Sequence, residues 1–255
     1  MADQPDYRIY AELADWWPLI SPPKEYTQEV AYLSDLLVKL TRSGAEVLDL
    51  GSGGGHVAGH LTSQFNLTLV DISDQMLAVS KQLNPGCEHV KGDMRTLRLG
   101  RSFDAVLVHD AIDYIIGGED LRLVVKTAAA HCAPGGIAVF VPDYVKDTFR
   151  ELTGTGGGGV DAAGRTASFT ERTWDPDPRD SWVQADYEFR LTAADGTTET
   201  ISESHRLSAF SRELWHRVLT EAGLEPVSEP ELPVSAAGRR PDNLFVSRRP
   251  CQLGT

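Results

Sequence analysis

The stretch Glu46-Val-Leu-Asp-Leu-Gly-Ser-Gly-Gly-Gly-His56 restricts what this chain can fold into more than any other part of it. Val47, Leu48 and Leu50 predict a short buried strand, and Gly51, Gly53, Gly54 and Gly55, with Ser52 among them, remove side chains where the backbone must turn sharply. Val57, Leu61 and Phe65 follow at a spacing of four, so the turn opens a helix whose first amides point back at whatever sits on the glycines. A second strand, Leu67 to Val70, ends in Asp71, twenty residues after Gly51, where an acid in such a unit holds ribose hydroxyls. These features together predict a nucleoside site.

Around this unit the chain alternates strand and helix. Strands are expected near 46–50, 67–71, 87–90, 103–108 and 136–141, and helices near 55–65, 74–82 and 119–131, with Asp74 as a helix cap. That order predicts right-handed crossovers and an α/β, Rossmann-like, doubly wound and mainly parallel sheet with helices on both faces. A helical lead-in, residues 1–41, precedes it, broken at Pro18 and Pro22-Pro23, and resumes over 24–40 with Val30, Leu33, Leu37 and Leu40 on one stripe. The aromatic run Tyr10 to Trp17 is placed either over a ligand or against the core.

The core is expected to span 42–150. Beyond it, Gly154 to Gly159 predicts a flexible loop, since glycine holds neither helix nor strand cheaply. An antiparallel β insertion over 160–209 follows, because Val183, Ala185, Tyr187, Phe189 and Leu191 alternate with polar residues and Asp195-Gly196 supplies a hairpin turn. The returning strand puts Ile201, Glu203, His205 and Leu207 on one face. A helix capped by Ser211 and a last strand at 243–247 are expected to complete the core in 210–249, leaving 250–255 as a tail.

A net charge of −13 repels phosphate polymers and anionic membranes, and Arg239-Arg240 and Arg248-Arg249 are only pairs, so nucleic acid and membrane are excluded as expected partners. Cys87, Cys132 and Cys251 are too widely spaced for a disulfide framework or a metal pair. No apolar run is long enough to span a bilayer, and a cytoplasmic location is expected. His56 and His60 form at most half of a metal site, so no metal is expected.

The glycines fall at 51, 53 and 55, with His where a dinucleotide fingerprint has its third glycine. With Asp49, Asp71, Lys91-Gly-Asp-Met94, Phe103 to Val108 and Ala133-Pro-Gly-Gly136 in order, the chain resembles the class I S-adenosylmethionine-dependent methyltransferases over about 45–141. Its flanks are similar to the aminosugar N,N-dimethyltransferases: Lys24-Glu25-Tyr26, Pro142 to Phe149, the 181–209 hairpin and Asn243 to Ser247. Where that group carries Tyr-Asp in its first helix this chain has Ala14-Asp15 beside Trp16 and Trp17. The resemblance implies methyl transfer from S-adenosylmethionine to an amine or hydroxyl of a small molecule, leaving S-adenosylhomocysteine, in secondary metabolism. It implies cofactor contacts from Tyr26, Asp49, Gly51, Ser52, Gly53, Gly55, Asp71, Ile72, Met76, Gly92, Asp93, Met94 and His109. Substrate contacts are expected from Trp16, Trp17, Asp113, Tyr144 and Tyr187.

For the chemistry, His109 is the first candidate base, being just past a fourth parallel strand, with Tyr114 orienting substrate; a cofactor-facing His109 is the alternative. His205 is the second candidate, against a buried structural pairing with Glu203. A homodimer is possible. A nicotinamide-dependent oxidoreductase and a non-catalytic nucleoside-binding module are the competing readings.

Overall fold

A computed structural model describes residues 7–228 and 241–251. Arg239-Arg240 and the end of the 250–255 tail lie outside the described residues. Seven strands form the main sheet: β1 (Glu46–Leu50), β2 (Asn66–Asp71), β3 (Glu88–Lys91), β4 (Phe103–His109), β5 (Cys132–Val141), β10 (Glu225–Pro226) and β11 (Phe245–Arg248). Their order is β10-β11-β5-β4-β1-β2-β3, with β11 antiparallel to β5 and the inner pairs parallel. The helices are α1 (Trp17–Ile20), α2 (Thr27–Leu40), α3 (His56–Leu61), α4 (Asp74–Leu83), α5 (Gly118–His131) and α6 (Arg212–Glu221).

The period-two pattern of the strands makes two cores. Leu48, Leu50, Val106, Val108, Ala138 and Phe140 face α5 and α6, where Trp215 is fully buried. Their neighbours Val47, Ala105, Leu107, Ile137 and Val139 face α2 and α3. Both faces of the sheet are therefore covered, as a parallel sheet requires. Among the described residues no helix is long and apolar enough to cross a membrane.

A second, antiparallel sheet follows in the order β6 (Leu152–Gly157), β7 (Thr166–Trp174), β8 (Trp182–Thr192) and β9 (Thr198–Ser208). The glycine run expected as a loop is thus partly strand: Gly156 pairs with Phe169 across β6 and β7. A Cβ on Gly156 would meet the Phe169 ring at 2.4 Å, so glycine lets the ring lie flat on the strand. Two other local expectations are corrected. Ser73, not Asp74, caps α4, accepting from the Met76 amide at 3.2 Å. The stretch from Lys24 begins as a 3-10 turn, Pro23–Tyr26, before α2.

Candidate active site

The carboxyl ends of β1 to β5 and the inner face of the second sheet enclose a cavity of about 720 Å³, within the roughly 300–1,000 Å³ of small-molecule sites. Its two ends differ in kind. Over β1, β2 and β3 lie the glycine turn, Asp71, Asp93 and Met94; over β4 and β5, facing β7 to β9, lie Asp113, Tyr114, Asp143, Glu171, Tyr187 and His205.

At the first end the turn is specified by sterics. Gly51 has φ +83°, and a Cβ there would stand 2.4 Å from Ala111 Cβ. Asp71 Oδ2 accepts from the Gly53 amide at 2.8 Å and Oδ1 from the Ser73 amide at 2.8 Å. Burial pushes its pKa up, against the pull of those amides. A carboxylate oxygen has room for a further donor, so both can still accept a diol. Ile72 lines the same end with 49% of its surface exposed, an apolar face left for a base to cover. Gly92, Met76 and Met94 also line it. Asp93 is there too, but its carboxylate is gripped by the Arg95 guanidinium at 2.6 to 3.0 Å. Burial opposes that charge, yet Arg95 holds the Asp93 pKa below the usual range. Gly55 stands behind the cavity, where a Cβ would meet Ser80 Oγ and Asn84 Nδ2, so its role is packing. These groups fit an adenosyl moiety: a side-chain-free turn, an acid for two hydroxyls and uncovered apolar surface.

Between the two ends lies His109. Its Nε2 is 2.5 Å from Glu29 Oε1 and its Nδ1 2.9 Å from Asp110 Oδ1. Burial disfavours its charge, but the two carboxylates hold its pKa well above the ordinary value. An imidazolium with both N–H groups donated has no lone pair for a proton, which speaks against His109 as the base. Asp110 sits at φ +38°, an uncommon backbone for a residue other than glycine, at the turn where β4 meets the cavity. Asp49 is buried beside His109; burial pushes it up to about 7, with His109 pulling the other way. His56 is buried too, which pushes it down to about 4, while His60 Nε2 lies 2.8 Å from the Pro23 carbonyl, so these two histidines do not converge on a shared point.

The second end carries a chain of hydrogen bonds. Tyr10 Oη and Tyr114 Oη are 2.7 Å apart, Tyr114 Oη and His205 Nδ1 2.9 Å, and His205 Nε2 and Glu203 Oε2 2.9 Å. When Glu203 accepts from Nε2, Nδ1 is free to accept from Tyr114, whose oxygen accepts from Tyr10. The outer member then presents oxygen lone pairs to the cavity. Tyr7 stacks on His205 with centroids 3.7 Å apart and holds the ring's plane. His205 thus pairs with Glu203 and also lines the cavity.

Of the expected substrate residues, Trp17, Asp113 and Tyr187 line the cavity, and Trp16 and Tyr144 do not. Trp16 lies under the Arg165 guanidinium, 4.6 Å from centroid to carbon, and Tyr144 donates to Glu171 from behind at 3.2 Å. Tyr7, Glu29 and Glu171 carry no signal in the sequence, and Asp143 is marked only as part of the segment 142–149. Tyr10 belongs to the aromatic lead-in placed over a ligand or against the core.

A family described as "Methyltransferase domain" matches residues 47–136. A dTDP-3-amino-3,6-dideoxy-alpha-D-glucopyranose N,N-dimethyltransferase of Streptomyces fradiae is 29% identical over 225 residues, 87% of this chain and 86% of that protein. A dTDP-3-amino-3,4,6-trideoxy-alpha-D-glucopyranose N,N-dimethyltransferase of Streptomyces venezuelae is 27% identical, covering 79% of this chain and 84% of its own length. Among solved structures, a sugar N-methyltransferase from Streptoalloteichus superposes with a TM-score of 0.76 at 24% identity over 90% of each chain. DesVI of Streptomyces venezuelae superposes with a TM-score of 0.75 at 25% identity, over 92% of this chain and 96% of its own.

Proposed function

We propose that this chain, a class I S-adenosylmethionine-dependent methyltransferase of small molecules, methylates the amine of an amino sugar, and does so twice on the same nitrogen. The observation that carries the choice of an amine is the chain Tyr10–Tyr114–His205–Glu203, which leads from the cavity to a buried carboxylate. The donor supplies a sulfonium-activated methyl, so the nucleophile needs little beyond position and a free lone pair. Holding the amine in line supplies roughly 7 to 11 kcal/mol in well-oriented reactions.

An amine arrives as an ammonium ion near neutral pH and must lose a proton before it attacks. The Tyr10 oxygen accepts that proton as its own passes to Tyr114, whose proton passes to His205 Nδ1. The imidazolium so formed is held by Glu203. Attack forms the N–C bond as the S–CH3 bond breaks and S-adenosylhomocysteine departs; the methylated nitrogen keeps a surplus proton, and a second methylation needs it removed by the same route once His205 has given the first proton to solvent. Asp71 holds the ribose, the turn at Gly51 and Gly53 admits the donor, and His109, kept charged by Glu29 and Asp110, anchors the loop between donor and acceptor. The lead-in and the second sheet close over the acceptor. The S. fradiae and S. venezuelae relatives are named for amino sugars, which supports the acceptor class.

Incubation with trideuteromethyl donor and a panel of 3-amino-3,6-dideoxyhexosides, followed by mass spectrometry, tests this reading. Two successive trideuteromethyl increments on nitrogen are expected. Transfer to hydroxyl, or none to any amino sugar by protein that binds S-adenosylhomocysteine, would refute it.

A further inference from the structure

His56, the first residue of α3, follows directly on the glycine turn and has no part in the reaction described above. Its ring is 4% exposed, and neither Nδ1 nor Nε2 has a hydrogen-bond partner among the described residues. The Ser21 carbonyl lies close enough to favour a charge on the ring but makes no hydrogen bond to it. At the other end of the turn Ser52 Oγ is buried and equally unpartnered. Both residues line the cavity at its donor end. Buried polar groups without partners cost stability, so two of them flanking one turn need a reason.

We infer that His56, together with the Ser52 hydroxyl, holds the amino-acid end of the methyl donor. The donor's sulfur carries three arms. With the ribose on Asp71 and the methyl turned toward the linked hydroxyls of Tyr10 and Tyr114, the third arm leaves on the remaining side, between the glycine turn and the lead-in. His56 stands there. The Trp17 ring runs nearly parallel to it, at 16° with centroids 6.3 Å apart, and the Tyr26 ring lies 6.4 Å away. Both of these rings come from the lead-in, and both line the cavity.

The chemistry of the ring matches that arm. Burial pushes the His56 pKa down to about 4, so near neutral pH the imidazole is uncharged, with one N–H to donate and one lone pair to accept. An α-amino acid is a zwitterion and offers the complement of both, a carboxylate for the N–H and an ammonium for the lone pair. The Ser52 hydroxyl supplies a second donor to the carboxylate. With Trp17 settled against Gly54, the His56 nitrogens are shut away from water and unpaired, a cost that the arriving arm relieves. His56 is thus a positioning residue: by fixing one arm of the sulfur it fixes the direction in which the methyl points. The inference rests on the donor being S-adenosylmethionine and is independent of what the acceptor is.

The test is a pair of calorimetric titrations, one with S-adenosylhomocysteine and one with methylthioadenosine, which keeps the nucleoside and the sulfur but lacks the amino-acid arm. His56→Phe keeps a ring beside Trp17 and removes both nitrogens. It should weaken S-adenosylhomocysteine about tenfold, a difference of about 1.4 kcal/mol, and leave methylthioadenosine within about twofold of the wild-type protein, which also shows that the variant folds. His56→Leu repeats the comparison with a smaller apolar side chain in case the phenyl ring does not fit. Equal loss of both ligands, or loss of neither, overturns the inference and leaves the methyltransferase reading standing. A wild-type protein that binds neither ligand overturns both.

Discussion

Tyr114→Phe removes one oxygen and breaks the hydrogen-bonded chain at its middle. Two partners lose their bond, Tyr10 Oη at 2.7 Å and His205 Nδ1 at 2.9 Å. A buried group left unpaired costs about 1 to 3 kcal/mol; His205, 1% exposed, bears that cost, while Tyr10 lines the cavity and can bond water there. A loss of about 2 kcal/mol in all is expected, lowering Tm by roughly 4–8 °C. The effect on catalysis is larger, since a positioned proton acceptor contributes about 10²–10⁴-fold. At pH 7 kcat should fall about a hundredfold, with affinity for S-adenosylhomocysteine unchanged by calorimetry. The decisive measurement is the pH profile of kcat/KM. If the chain serves to take the proton from the acceptor, the deficit shrinks as pH rises through the pKa of that amine, because solvent then delivers the neutral form. A deficit that stays constant across the whole range would refute the relay and reduce Tyr114 to a residue that shapes the cavity.

Two further perturbations probe the donor end. Gly51→Ala forces a Cβ to within 2.4 Å of Ala111 Cβ at a φ of +83°, so it should abolish S-adenosylhomocysteine binding in calorimetry while the sheet's far-ultraviolet circular dichroism persists. Asp49→Asn should stabilise the protein at pH 8. The folded-state pKa of Asp49 is raised from 3.8 to about 7, so the folded protein binds the extra proton between these values and stability falls as pH rises through them, by about 4 kcal/mol at most. Denaturant titrations should therefore find the gain of the variant full above pH 7 and absent below pH 4; the same gain at both would refute the assignment.

The parallel core was legible because β1 and β2 are apolar runs stopped by Gly51 and Asp71, β4 and β5 are apolar runs of similar length, and both faces of the sheet are buried. Val47 to Leu50 and the turn after it could hardly be anything else. The partners of His109 were not legible, since Glu29 lies eighty residues away and on α2, whose apolar stripe says where the helix packs and nothing of what its first turn touches. Tyr10 meets Tyr114 across 104 residues for the same reason. The glycines of β6 misled because the rule that glycine weakens strands holds for a strand alone; here the Phe169 ring occupies the space a side chain would take. Trp16 and Trp17 are adjacent, and only the angle at which α1 starts decides that Trp17 faces the cavity and Trp16 faces Arg165.

Tyr10 serves both ends of the cavity. Its hydroxyl meets that of Tyr114, and its carbonyl accepts from Ser73 Oγ at 2.6 Å, at the cap of the helix that follows Asp71. Nearby, the Trp17 ring lies so close to Gly54 that a Cβ there would meet it at 2.6 Å. The aromatic segment is thus pinned across the donor while it completes the acceptor's surroundings. If spent donor leaves only when that segment lifts, the amine's surroundings come apart with it and a double methylation would be distributive: a time course should then show free monomethyl amine before the dimethyl product, and dimethyl product formed from the first turnover without it would refute this.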